Sequence, residues 1–208
     1  MNHDQISQSN IESALKCLIY DYNTNPRKYL TENDIVIQAH IFLQDAVISN
    51  NPKLTIHSEL RPYNFEEKKG IKDNDWKCLR QINHASKCDL AIVVTNETYW
   101  EKTKKKITYL QSKNPTKKKL RYWRFLIYPI EAFQAVFECK MRVQGNLSNI
   151  REDIKKLVKI KKGNSNCLTY MIVLDREASP ISMNTIREYA RKKGTPIFTH
   201  LDMDADTR

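Results

Sequence analysis

Within the stretch FQAVFECKMR, residues 133–142, a glutamate and a lysine stand two positions apart in a run that is otherwise largely apolar. In an extended segment successive side chains point to opposite faces, so residues two apart share a face. Phe133, Ala135, Phe137 and Cys139 then line one face, and Gln134, Val136, Glu138 and Lys140 the other. A carboxylate and an ammonium would project side by side from the end of the strand, as a salt bridge or as half of a metal site. Asp89 heads a second apolar run, CDLAIVV at 88–94. Charged groups are costly in such strands unless they are paired or hold a cation. Two carboxylates brought together repel, and a hard divalent cation, Mg²⁺ or Mn²⁺, relieves that repulsion while keeping positions for water and a phosphate oxygen. Such an ion polarises a phosphodiester and orients a hydroxide for attack. A lysine on the same face positions or deprotonates the water, or offsets developing charge.

Periodicity shows the elements that must hold these groups. Residues 10–22 carry Ile11, Leu15, Ile19 and Tyr22 at helical spacing. Thr31 opens a second helix as its N-cap, with Asp34 as the reciprocal partner of a capping box. The stripe of that helix is Ile35, Ala39, Phe42, Leu43, Ala46 and Val47. LTIHSELRPY, 54–63, reads as one strand, and residues 64–87 as a charged loop containing Trp76, with room for a short helix. CDLAIVV, FQAVFECK, CLTYMIVLD (167–175) and TPIFTH (195–200) read as further strands. A helix over 149–161 points Ile150, Ile154, Leu157 and Val158 inward. Another carries Met183, Ile186, Tyr189 and Ala190 and is closed by Lys192, Lys193 and Gly194. Consecutive strands imply antiparallel neighbours, and strands separated by helices imply parallel ones. The fold class is therefore α/β, a mixed central sheet flanked by helices, with N-terminal helices and a basic insertion.

Composition narrows the partners. The chain has 208 residues, 40% apolar and 28% charged, with a net charge of +11. Between residues 102 and 124 the sequence KTKKKITYLQSKNPTKKKLRYWR holds ten Lys or Arg and no acid. Concentrated positive charge suits a polyanion, because neutralising phosphates releases counterions. Lys104, Lys105, Lys106, Lys117, Lys118, Lys119, Arg121 and Arg124 are the candidate nucleic-acid contacts, for DNA or RNA. Tyr109, Tyr122 and Trp123 lie among them and could stack on bases. The plainer reading is a solvated basic loop. No run is apolar and long enough to span a membrane, and MNHDQISQSN is too polar and acidic for a signal peptide. The five cysteines form no CxxC, which suits a reducing cytoplasm rather than a disulfide or zinc framework. With four glycines, no P-loop, dinucleotide fingerprint or G-x-S-x-G is present.

An E-x-K triplet alone is frequent in any basic protein, but here the next helix, NIREDIKKLVKI, and strand, TYMIVLD, follow it in order. CDLAIVV, FECK, that helix and that strand together resemble the PD-(D/E)xK, or restriction endonuclease-like, nuclease superfamily over roughly residues 31–200. The resemblance implies a helix, a mixed sheet of about four strands and further helices. It also implies Mg²⁺-dependent hydrolysis of DNA phosphodiesters, as in restriction, repair or defence nucleases. Residue by residue, Asp89 and Glu138 match the motif carboxylates as metal ligands, Cys139 would lend its backbone carbonyl, and Lys140 matches the motif lysine at the attacking water. Glu32 matches the helical glutamate of several branches of the superfamily, which supports the metal directly or through water. Two departures stand out: Cys88 precedes Asp89 where the motif has proline, and the interval from Asp89 to Glu138 is long. That interval makes the basic stretch, 96–129, an insertion, a hairpin or arm over the substrate groove. Asp73 and Asp75 are the alternative motif aspartates. One domain is expected, with residues 1–30 an N-terminal helical extension, 31–200 the core and 201–208 a frayed acidic tail. A homodimer suits duplex cleavage by single sites. Glu59 pairs with Arg61 or supports the site, and His57 and His200 lie near strands without ligand spacing. The rivals are a non-catalytic nucleic-acid-binding module on the same fold and an assembly protein whose basic arm meets an acidic partner.

Overall fold

A computed structural model describes residues 6–49, 51–63, 87–112 and 127–203. Helix α1 (Gln8–Thr24) turns Ile11, Leu15, Leu18, Ile19 and Tyr22 inward. Helix α2 (Glu32–Leu43) starts at the capping box read from the sequence: the Asp34 amide donates to Thr31, and the Asp34 carboxylate accepts from the Thr31 amide at 2.7 Å. Ile35, Ala39 and Leu43 are buried, and a π-turn at Gln44–Ile48 continues the stripe to Val47.

The expected strand at 54–63 is two strands. β1 (Leu54–Ser58) and β2 (Arg61–Tyr63) are separated by Glu59 at φ 57°. A left-handed residue cannot continue an extended ladder, so the chain leaves one sheet and enters another. β2 pairs in parallel with β4 (Ile127–Pro129) as a separate two-stranded sheet. The main sheet runs β1–β3–β5–β6–β7, with β3 (Leu90–Val94), β5 (Phe133–Lys140), β6 (Leu168–Val173) and β7 (Ile197–Thr199). β1, β3 and β5 are antiparallel to one another in turn, and β6 and β7 run parallel to β5. The mixed sheet flanked by helices is thus as the element order implied.

Helix α3 (Glu97–Ser112) follows β3, so the first part of the basic stretch is helical rather than a hairpin. Helices α4 (Leu147–Gly163) and α5 (Pro180–Lys193) make the two crossovers between parallel strands. Gly194, at φ 67°, closes α5 in the left-handed cap position. One face of the sheet, with Leu90, Ile92, Ala135, Phe137 and Tyr170, packs on α1 and α2. The other, with Ala91, Val93, Val136, Met171 and Val173, packs on Ile150, Ile154 and Leu157 of α4 and Met183 and Ile186 of α5. Helix α1 belongs to the first of these clusters and is part of the core rather than an appendage. On α4, Ile160 is buried and Val158 only half-buried.

The alternation expected along β5 holds from Ala135 to Cys139 but not at Phe133. The register against β3 slips between Ile92–Ala135 and Val93–Phe133. The extra residue, Gln134, swings Phe133 to the Val136 face. No described helix is long and apolar enough to cross a membrane.

Candidate active site at the ends of strands β3 and β5

Four elements meet where β5 ends. Leu90 pairs with Phe137, and the antiparallel run continued by one step sets Asp89 opposite Glu138, on the face that carries Ala91 and Val136. Asp89 is fixed there because its Oδ2 accepts the Cys139 amide at 2.8 Å. In an antiparallel pleat a residue's amide and carbonyl point to the same neighbouring strand, so the Cys139 carbonyl faces Asp89 too. The Cys139 side chain is buried in the α1–α2 cluster, and burial pushes its thiol well above the ordinary range, so the sulfur takes no part.

Glu138 is 1% exposed. Its Oε2 receives Lys156 Nζ at 2.7 Å, while its buried Oε1 has no hydrogen-bond partner among the described residues. Burial pushes the Glu138 carboxyl well above the usual range, and neighbouring Asp89 adds to that; the Lys156 ammonium works the other way. Lys140, the last residue of β5, reaches past the strand end to Glu32 Oε1 at 2.8 Å and Asp153 Oδ2 at 3.3 Å. Burial alone would lower the Lys140 pKa, but Glu32, Asp153 and Asp89 outweigh it and hold the amine protonated. A lysine so held donates hydrogen bonds and offsets charge. Glu32 occupies the first turn of α2, where the capping box fixes the helix start.

The segment after Lys140 is pinned by Asp175, just past β6. Asp175 is buried, accepts the Val143 amide at 2.7 Å and the Glu177 amide at 3.0 Å, and so has both oxygens engaged by backbone. The Leu174 amide bonds the Lys140 carbonyl at 2.9 Å. These contacts set the direction in which Lys140 leaves the sheet.

Asp153 and Lys156 of α4 complete the cluster, and the sequence reading passed over both. Asp153 bridges the two lysines, with Oδ2 3.3 Å from Lys140 and Oδ1 3.3 Å from Lys156. Each lies one position before a stripe residue, Ile154 or Leu157, so each borders the buried face of α4. That spacing was the available signal.

The structure thus brings together Asp89, Glu138, Cys139, Lys140 and Glu32. Glu59 pairs with Lys87 at 2.8 Å: the left-handed turn at Glu59 and the Leu60–Cys88 backbone bond set it beside the strand that enters β3, and the expected partner's side chain, that of Arg61, lies outside what the structure describes. His57 bonds Thr55 at 2.9 Å, and His200 is part-buried near Tyr22; neither adjoins the cluster. Lys104 and Lys105 are exposed on α3, where Lys104 pairs with Glu101 and lies 5.4 Å from the Trp100 ring centre. The side chains of Lys106 and Tyr109, and residues Asp73, Asp75, Trp76, Lys117, Lys118, Lys119, Arg121, Tyr122, Trp123 and Arg124, lie outside what the structure describes, as does the tail from 204.

No three His, Cys, Asp or Glu side chains among the described residues form a metal-binding group. The donor set is smaller: the orphaned Glu138 Oε1, the Asp89 carboxylate and the Cys139 carbonyl. One magnesium-sized ion needs only one or two carboxylates when water and a phosphate oxygen fill the rest of its shell, and this set fits that demand. Comparison with protein-family models, curated proteins and solved structures finds no match to this chain.

Proposed function

We propose that the chain is a Mg²⁺- or Mn²⁺-dependent nuclease with a restriction endonuclease-like core, hydrolysing DNA phosphodiesters endonucleolytically. The observation that carries this reading is the buried Glu138 Oε1, without a partner among the described residues and opposite Asp89, at the strand end where Lys140 emerges. Asp89 and Glu138 would hold the ion, and Glu32 sets the lysine from outside. A divalent ion bound there would polarise the scissile phosphate and lower the pKa of a water. The Lys140 ammonium has three donors and two acceptors among the described residues. Its third N–H is left to orient the attacking water or meet the charge that develops on the phosphate. The basic segment from Lys102 to Arg124 would grip the backbone and add affinity without sequence readout.

The test is incubation of supercoiled circular DNA with purified protein in Mg²⁺ or in EDTA, alongside Lys140→Ala. Nicking or linearisation in Mg²⁺, absent in EDTA and reduced about 10²–10³-fold in the variant, is the expected result. A second reading is favoured by one observation: Glu138, Glu32 and Asp153 are already matched by Lys140 and Lys156. On that reading the site is idle, and the chain binds nucleic acid in a salt-sensitive way, with no cleavage and no metal requirement.

A further inference from the structure

Lys156 differs from Lys140 in a way that assigns it another task. Its ammonium meets three oxygens, Glu138 Oε2 at 2.7 Å, the Lys87 carbonyl at 2.8 Å and Asp153 Oδ1 at 3.3 Å. The ammonium is thus surrounded by three oxygens, and the Lys156 side chain is only 13% exposed. The three oxygens around it, two from carboxylates and one from a carbonyl, are also the donor types that a hard divalent cation takes. The Glu138 carboxylate is divided between two environments: Oε2 faces the ammonium and Oε1 faces no partner among the described residues.

We propose that Lys156 is a built-in cation standing where a second divalent ion would otherwise bind, so that the site takes one metal ion per chain. The inference rests on the nuclease reading for the first ion, at Glu138 Oε1 and Asp89, and on the geometry of α4 for the second position. Lys156 is a positioning residue: it occupies Glu138 Oε2 and leaves Oε1 as the carboxylate oxygen without a partner among the described residues. Asp153, one turn earlier on α4, ties it to Lys140 and so fixes both ammonium groups on one carboxylate.

The test is Mn²⁺ stoichiometry, read by electron paramagnetic resonance of free Mn²⁺ during titration of metal-free wild type and Lys156→Ala, with no nucleic acid present. The expected result is saturation at one ion in wild type and two in Lys156→Ala, because removing the ammonium exposes three oxygen donors. Two ions in wild type, or one in both proteins, would overturn the inference while leaving a metal site in place. No ion in wild type and one in Lys156→Ala would support Lys156 as the stand-in cation and remove the proposed Asp89–Glu138 site. No ion in either protein would overturn both. Should Lys156→Ala fail to fold in EDTA, recovery of its helical circular dichroism on adding Mn²⁺ supports the inference, and failure to recover counts against it.

Discussion

Glu138 and its two oxygens concentrate the energetics of the site. A carboxylate 1% exposed is tolerable only while something offsets its charge, and the ammonium of Lys156 does so from 2.7 Å. Replacing Lys156 by Met should therefore lower unfolding free energy by about 3–5 kcal/mol, measured by urea denaturation. Adding Glu138→Met should restore most of the loss, since the buried charge is then gone as well. A double variant as unstable as Lys156→Met alone would show that the ammonium acts through other contacts. Proton linkage gives a separate expectation. Burial raises the Glu138 carboxyl above its ordinary value of 4.5 in the fold although the Lys156 ammonium opposes it, so between the two values the folded chain holds a proton that the unfolded chain releases, and above the folded value Glu138 is the carboxylate that Lys156 offsets. The corresponding stability is present below pH 4.5 and is lost as pH rises through the folded value. In EDTA, wild type should lose stability relative to Glu138→Gln as pH is raised from acid towards neutral, with thermal melts at a series of pH values as the readout. Parallel profiles would mean that Lys156 cancels the burial effect.

Individual elements decide whether these residues meet, and the sequence exposed them unevenly. Helix α2 brings Glu32 to Lys140 because Thr31 and Asp34 close a capping box one residue before it. Thr31→Ala should cost about 1 kcal/mol. It should also lower cleavage beyond that loss by loosening the Glu32–Lys140 contact, which parallel urea and activity measurements would separate. That box, the β5 strand with Glu138 and Lys140, and the Gly194 cap of α5 were all legible, because each is a local signal of residue type at fixed spacing. The bulge at Gln134 and the left-handed Glu59 were not, since neither residue type announces the conformation it adopts. The roles of Asp153 and Lys156 were hidden for another reason. On a helix with this many lysines, only the tertiary placement of α4 against β5 distinguishes Lys156, at 13% side-chain exposure, from Lys155, at 51%.

At the scale of the whole chain, the site forms where a helix on one face of the sheet (α2), a helix on the other (α4) and two strand ends converge. The long interval between Asp89 and Glu138 is spanned in part by α3 and β4, so strands distant in sequence become neighbours across one ladder. The mixed sheet followed from the order of elements, whereas which strand ends would lie together depended on register. On the proposed function, Asp89 and Glu138 hold one divalent ion beside Lys140. Diffraction from crystals grown with Mn²⁺, recorded for anomalous scattering, tests it most directly. One anomalous peak is expected between the two carboxylates, in contact with Glu138 Oε1 and absent from Glu138→Gln crystals. Crystals saturated with Mn²⁺ that show no peak there, or a peak only at Asp153 and Glu32, would contradict it.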